Sequence, residues 1–219
     1  MVTIGAKKEG VLYHYTSHDT LYRIVEGENL RASHVYYMND SSEIKYAIDR
    51  FIKIVKEKSK STPNKQDYEF LLQLPVWLKN MRNNPHYIFS FSLSENGNLL
   101  SQWRAYTPHG TGVSIGFNHA DLENLAYTRD LRLIKCIYDR EEQDNLLRQV
   151  LEDILSAFQE DKPGIDIKRG PKGQEYHQYM NQFNEYLLRE FVRIKDPAFH
   201  EEFEWRLVSR FYERYVHED

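Results

Sequence analysis

The chain has 219 residues, 41% hydrophobic and 28% charged, with a formal net charge of −4. That balance suits one soluble globular domain over 1–219 with a core of useful size, and an aromatic content of 14% argues against disorder. A mildly acidic chain offers no wide basic surface for a phosphate backbone, and no apolar run approaches the length of a membrane span.

Val11-Leu12-Tyr13-His14-Tyr15-Thr16 is a short β-rich run. Its alternate faces are Val11, Tyr13, Tyr15 and Leu12, His14, Thr16. A helix follows at about 18–27, with Thr16 and Asp19 at capping-box spacing and Leu21, Ile24, Val25 as its apolar stripe. A second strand is expected over 32–38. Asp40 and Glu43 then have N-cap and N3 spacing for a helix from about 41 to 57. A polar loop leads to a helix at about 67–82, which Pro75 should kink or break.

Residues 86–94 give the clearest central strand. Tyr87, Phe89, Phe91 and Leu93 share one face, while Ile88, Ser90, Ser92 and Ser94 share the other. A row of serines leaves room against the sheet and offers hydroxyls. Asn98 to Tyr106 reads as a short helix with Trp103 and Tyr106 together. Val113 to Phe117 is a strand whose Gly112, Ser114, Gly116 side admits a close approach. A strand at 131–138 holds Cys136, the single cysteine, which excludes an internal disulfide and suits a reducing, cytoplasmic setting. Its apolar neighbours mark it as a structural thiol rather than a nucleophile. Helices are expected at 140–160 and 174–194, separated by a basic, glycine-rich insertion around 168–172.

The last strand, over 203–211, is the most informative. Phe203, Trp205, Leu207 and Phe211 alternate with Glu204, Arg206, Val208 and Arg210, and Glu202 extends the polar face. Period-2 geometry places carboxylates beside a guanidinium, backed by large apolar side chains. There is no P-loop, no Gly-x-Gly-x-x-Gly, no nucleophile elbow and no Cys/His zinc spacing. Serial βαβ alternation is absent too, so the fold class is α+β with a mixed or largely antiparallel sheet flanked by helices.

Leu12-Tyr13-His14-Tyr15-Thr16, Asn39-Asp40 with Glu43, Phe89-Ser90-Phe91-Ser92, Ser101-Gln102-Trp103-Arg104-Ala105-Tyr106, Gly112 to Phe117 and Glu202-Phe203-Glu204-Trp205-Arg206 follow one another in order. In this set of motifs the chain resembles a large bacterial family, domain-of-unknown-function family 2971. More distantly it is similar to ADP-ribosyltransferases, with His14 on the first strand, Ser90-Phe91-Ser92 in the middle and Glu202-Phe203-Glu204 late. The pattern mixes the His of one transferase class with the serines and Glu-x-Glu of another.

The second resemblance implies an ADP-ribosyltransferase-like fold with NAD as substrate. His14 would then hold a ribose hydroxyl. Ser90 and Ser92 would brace the site, with Tyr13, Tyr15, Thr16, Trp103, Tyr106 and Gly112 around the nucleotide. Glu204, kept ionised by Arg206, would stabilise the oxocarbenium-like transition state, and Glu202 would orient or deprotonate the acceptor. It also suggests a bacterial toxin or anti-phage defence setting. Whether the acceptor is a protein or a nucleic acid is open. Two other readings stand beside it. One is a non-catalytic nucleotide- or partner-binding module of a defence system. The other is a metal-dependent nuclease or phosphodiesterase using His14, His34, Asp40, Glu43, Glu202 and Glu204.

Overall fold

In chain order the elements are β1 (Val11–Thr16), α1 (His18–Gly27), β2 (Ser33–His34), α2 (Ser42–Lys60), α3 (Lys65–Asn83), β3 (Phe89–Ser94), α4 (Leu100–Tyr106), β4 (Val113–Asn118), α5 (His119–Thr128), β5 (Arg132–Lys135), α6 (Arg140–Asp161), α7 (Gln174–Met180), α8 (Asn184–Phe191) and β6 (Glu204–Val208). The computed structural model describes residues 10–35, 42–83, 88–107, 111–161 and 173–210. These fall into two compact units that are each discontinuous in sequence. The first takes the described residues up to 35, those of 88–136 and those of 198–210; the second takes those of 42–83 and 137–197.

The first unit is α+β. Its six strands form one antiparallel sheet in the order β4-β1-β3-β6-β5, with β2 also paired to β3. Register fixes which side chains share a face, because directly opposed residues project the same way. Gly116, Tyr13, Ser94 and Glu204 form one row across four strands. Ser92, Arg206 and Ile134 form the next. The opposite face is apolar: Leu12, Phe91, Leu93 and Leu207 pack with Leu122 and Ala126 of α5. Strands 11–16, 86–94 and the last are therefore neighbours, as their polar faces suggest.

The second unit is helical. Phe51, Phe70, Leu147, Phe158, Leu187 and Phe191 are fully buried in its core. Residues 137 and 194 pair as a short parallel bridge, and Gln143 is buried against it. Its amide nitrogen donates to the carbonyls of Ile137 and Lys195, both at 2.7 Å. Glu43 and Lys195 form a buried ion pair at 3.3 Å. Burial of two opposite charges without partners would be expensive, so the pair is kept together.

Several local expectations change. α1 is capped by Ser17, whose Oγ accepts from the Thr20 amide at 3.2 Å; Thr16 remains in the strand and does not cap. α3 runs through Pro75 without a break. β3 starts at Phe89 and β5 ends at Lys135. The 174–194 helix is interrupted by a 3-10 turn at Asn181–Phe183 and ends at Phe191. α5 was not legible, because its apolar pattern is short and lies between two strands. The last strand spans Glu204–Val208, not 203–211. Phe203 has φ 44°, a left-handed conformation outside the extended range of a strand, and it joins a 3-10 helix at Pro197–Glu202 to β6. Expectations for 36–41, 86–87, 168–172 and 211 lie outside the described residues.

Candidate functional site

β1 and β3 pair at Tyr13 and Ser94, and the ladder goes no further. Where it stops, the His14 ring takes the place of a backbone donor. Its Nδ1 donates to the Ser92 carbonyl at 2.9 Å. The imidazole stacks on Phe91 with ring centroids 4.2 Å apart. His14 therefore belongs to the apolar side of the sheet, not to the face of Glu204, which corrects the expectation that the polar faces alone would carry it. It still reaches the same pocket because the strands have separated. Burial lowers the His14 pKa, and the Ser92 bond only partly offsets this. A neutral imidazole with Nδ1 protonated leaves Nε2 as its acceptor.

The pocket in this gap is lined by Tyr13, His14, Tyr15, Ser92, Leu93, Gln102, Tyr106, Glu202 and Glu204. Its cavity volume is about 40 Å³, room for roughly three water molecules or one narrow ligand group. Glu204 enters with its charge already engaged. Arg206 Nε donates to Oε1 at 3.0 Å and Nη2 to Oε2 at 2.8 Å. The Cys136 thiol approaches Oε2 at 3.8 Å, so this cysteine is a buried neighbour of the pair. A bidentate guanidinium fixes both the charge and the orientation of the carboxylate. Glu202 closes the preceding 3-10 helix, and its carbonyl accepts from Ser94 Oγ at 2.7 Å.

Other residues expected at the site have structural duties. Tyr15 donates to the Asn96 carbonyl at 2.6 Å and accepts from the Leu99 amide at 2.8 Å, so its hydroxyl is spent on the loop before α4. Burial raises its pKa. Trp103 meets the Tyr15 ring edge-on at 4.9 Å and donates to Asn98 Oδ1, which takes it out of the pocket lining. Ser90 and Thr16 are buried and outside the lining. The glycine side of β4 is not open either. A Cβ on Gly116 would lie 3.3 Å from the Tyr13 ring, and one on Gly112 would overlap Thr107. The protein's own side chains use that space.

Gln102 was not anticipated. It shares a helical face with Tyr106 at i, i+4 spacing, and both line the pocket; that spacing was the available signal. Of the residues of the metal-dependent reading, His14, Glu202 and Glu204 line the pocket, and His34 and Glu43 are not in its lining. Glu43 pairs with Lys195 in the helical unit, Asp40 lies outside the described residues, and no three His, Cys, Asp or Glu among the described residues are placed to hold a metal ion. No helix among the described residues is long and apolar enough to cross a membrane.

The class thus defined is an α+β protein with an open antiparallel sheet, whose buried acid–guanidinium pair borders a pocket at a strand divergence. Residues 102–207 match the family model described as "Protein of unknown function (DUF2971)", the family to which the motifs pointed. The match takes in α4 to β6 and so includes Gln102, Tyr106, Glu202, Glu204 and Arg206, whereas β1 and β3 precede it. No curated protein and no solved structure matches the chain.

Proposed function

We propose that the pocket binds NAD and that the protein is an ADP-ribosyltransferase-like enzyme. The observation that carries this reading is the meeting of His14 from the first strand, Ser92 from the middle strand, Glu204 from the last strand and Glu202 from the 3-10 helix before it at one pocket. The chemistry follows from their states. Neutral His14 accepts a hydrogen bond from a ribose hydroxyl through Nε2. Glu204, held ionised by Arg206, faces the positive charge that develops on the ribose as its bond to nicotinamide breaks. A fixed anion there favours the transition state over the ground state. Glu202 takes the proton from the acceptor as its bond to the ribose forms. Tyr13 and Tyr106 offer aromatic surface at the pocket for a flat heterocycle.

The engagement of Glu204 with Arg206 favours one second reading, a nucleotide-binding module without catalysis, because a carboxylate held by two hydrogen bonds has a sufficient structural role. Nicotinamide release from NAD, assayed with cell lysate as acceptor, separates the two. Wild type should release it, and Glu204→Gln, compared per folded molecule, should be slower by at least about a hundredfold. NAD binding by wild type with no release above the rate of the variant assigns the binding module instead.

A further inference from the structure

α4 inverts the usual sorting of side chains. It buries Gln102, which is 8% exposed, and leaves Leu100 63% exposed. The residue is buried as a whole, yet its carboxamide makes no hydrogen bond with the described residues and opens on the pocket, where it offers one acceptor oxygen and two donor hydrogens. Buried polar groups are almost always satisfied, and exceptions call for a reason. Here the reason is at hand: Gln102 lines the pocket.

We propose that Gln102 is a specificity-determining residue that reads a primary carboxamide on the ligand. A carboxamide presents one donor beside one acceptor, the complement of the Gln102 edge. Two amides in that arrangement satisfy each other with paired N–H···O bonds. The rest of the lining sharpens the choice, because Glu202 and Glu204 would repel a carboxylate in the same place and the described lining holds no Lys or Arg to attract one. The inference rests on the NAD reading and deepens it. The site accepts the dinucleotide that ends in nicotinamide and rejects its deamidated counterpart, which ends in nicotinic acid.

Calorimetry on the intact protein with these two dinucleotides tests it directly. Wild type should bind the amide form at least about tenfold more tightly than the acid form. Gln102→Leu should weaken binding of the amide form by about tenfold and shrink the preference. Gln102→Glu, which keeps the size and an acceptor but loses the donor, should weaken both forms. Equal affinity of wild type for the two dinucleotides overturns the assignment while the NAD reading stands. So does a Gln102→Leu protein with the full preference. Failure of wild type to bind either dinucleotide at millimolar concentration overturns the NAD reading and the assignment with it. The wild-type comparison decides the matter even if a variant does not fold.

Discussion

Arg206 holds Glu204 from two positions along the same strand, through two hydrogen bonds at 3.0 and 2.8 Å, and both side chains are buried. Strand geometry makes this pairing natural, since residues i and i+2 project from one face. Removing one partner takes two charge-assisted hydrogen bonds from an opposite charge that stays buried. Arg206→Met should therefore lose about 3–5 kcal/mol of stability. The double variant Glu204→Gln/Arg206→Met should recover part of that loss, because the carboxylate that lost the guanidinium is removed as well. Chemical denaturation of the single and double variants checks this; additive losses would show that the pair contributes no coupling.

His14 gives the stability a defined acid dependence. Burial lowers its folded-state pKa, so below the ordinary value of about 6.5 the unfolded chain binds more protons than the folded one. The contribution is fully present above that value and is lost as pH falls from it towards the folded pKa. Melting temperature should fall between pH 7.5 and pH 5 more steeply for wild type than for His14→Gln. Parallel profiles would mean that His14 titrates alike in both states.

Tyr15 fixes the approach to α4, which supplies Gln102 and Tyr106 to the pocket. Tyr15→Phe removes both hydroxyl bonds, to the Asn96 carbonyl and from the Leu99 amide, and should lower stability by about 1–3 kcal/mol. On the proposed activity it should raise KM for NAD more than it lowers kcat, because it displaces a binding wall and leaves Glu204 in place. Thermal melts and steady-state kinetics together check this.

Gly97 is small because Tyr13 lies against it. A Cβ there would come within 2.6 Å of the ring carbons Cδ1 and Cε1. Gly97→Ala must push Tyr13 aside, with a loss of about 1–3 kcal/mol and weaker ligand binding. In the double variant Gly97→Ala/Tyr13→Ala the ring that is struck is gone, so the stability loss should be less than the sum of the two single losses. Denaturation of the three proteins measures the difference.

In the helical unit, Gln143→Leu leaves the Ile137 and Lys195 carbonyls without their shared donor. Loss of about 2–4 kcal/mol is expected, with nicotinamide release per folded molecule unchanged. A selective loss of release in a protein that melts normally would connect Gln143 to the reaction.

The sequence alone determined the sheet and much of its side-chain sorting. Phe91 and Leu93 alternate with Ser90, Ser92 and Ser94 over a short distance, and period-2 alternation has one physical meaning. It likewise placed Glu204 and Arg206 together, since i, i+2 proximity is local. Tertiary structure alone decided what each polar residue does. Tyr15, Trp103 and Gly112 were plausible ligand contacts by type, yet their partners Asn96, Leu99, Asn98 and Thr107 are chosen by how the α4 segment packs. His14 reached the pocket from the apolar side because β1 and β3 stop pairing after Tyr13, and a ladder's end depends on both strands at once. Gln102 is the clearest case. Its i, i+4 spacing with Tyr106 puts the two on one helix face, but only the fold decides that this face is buried while Leu100 is exposed, because burial is set by what packs against a helix face.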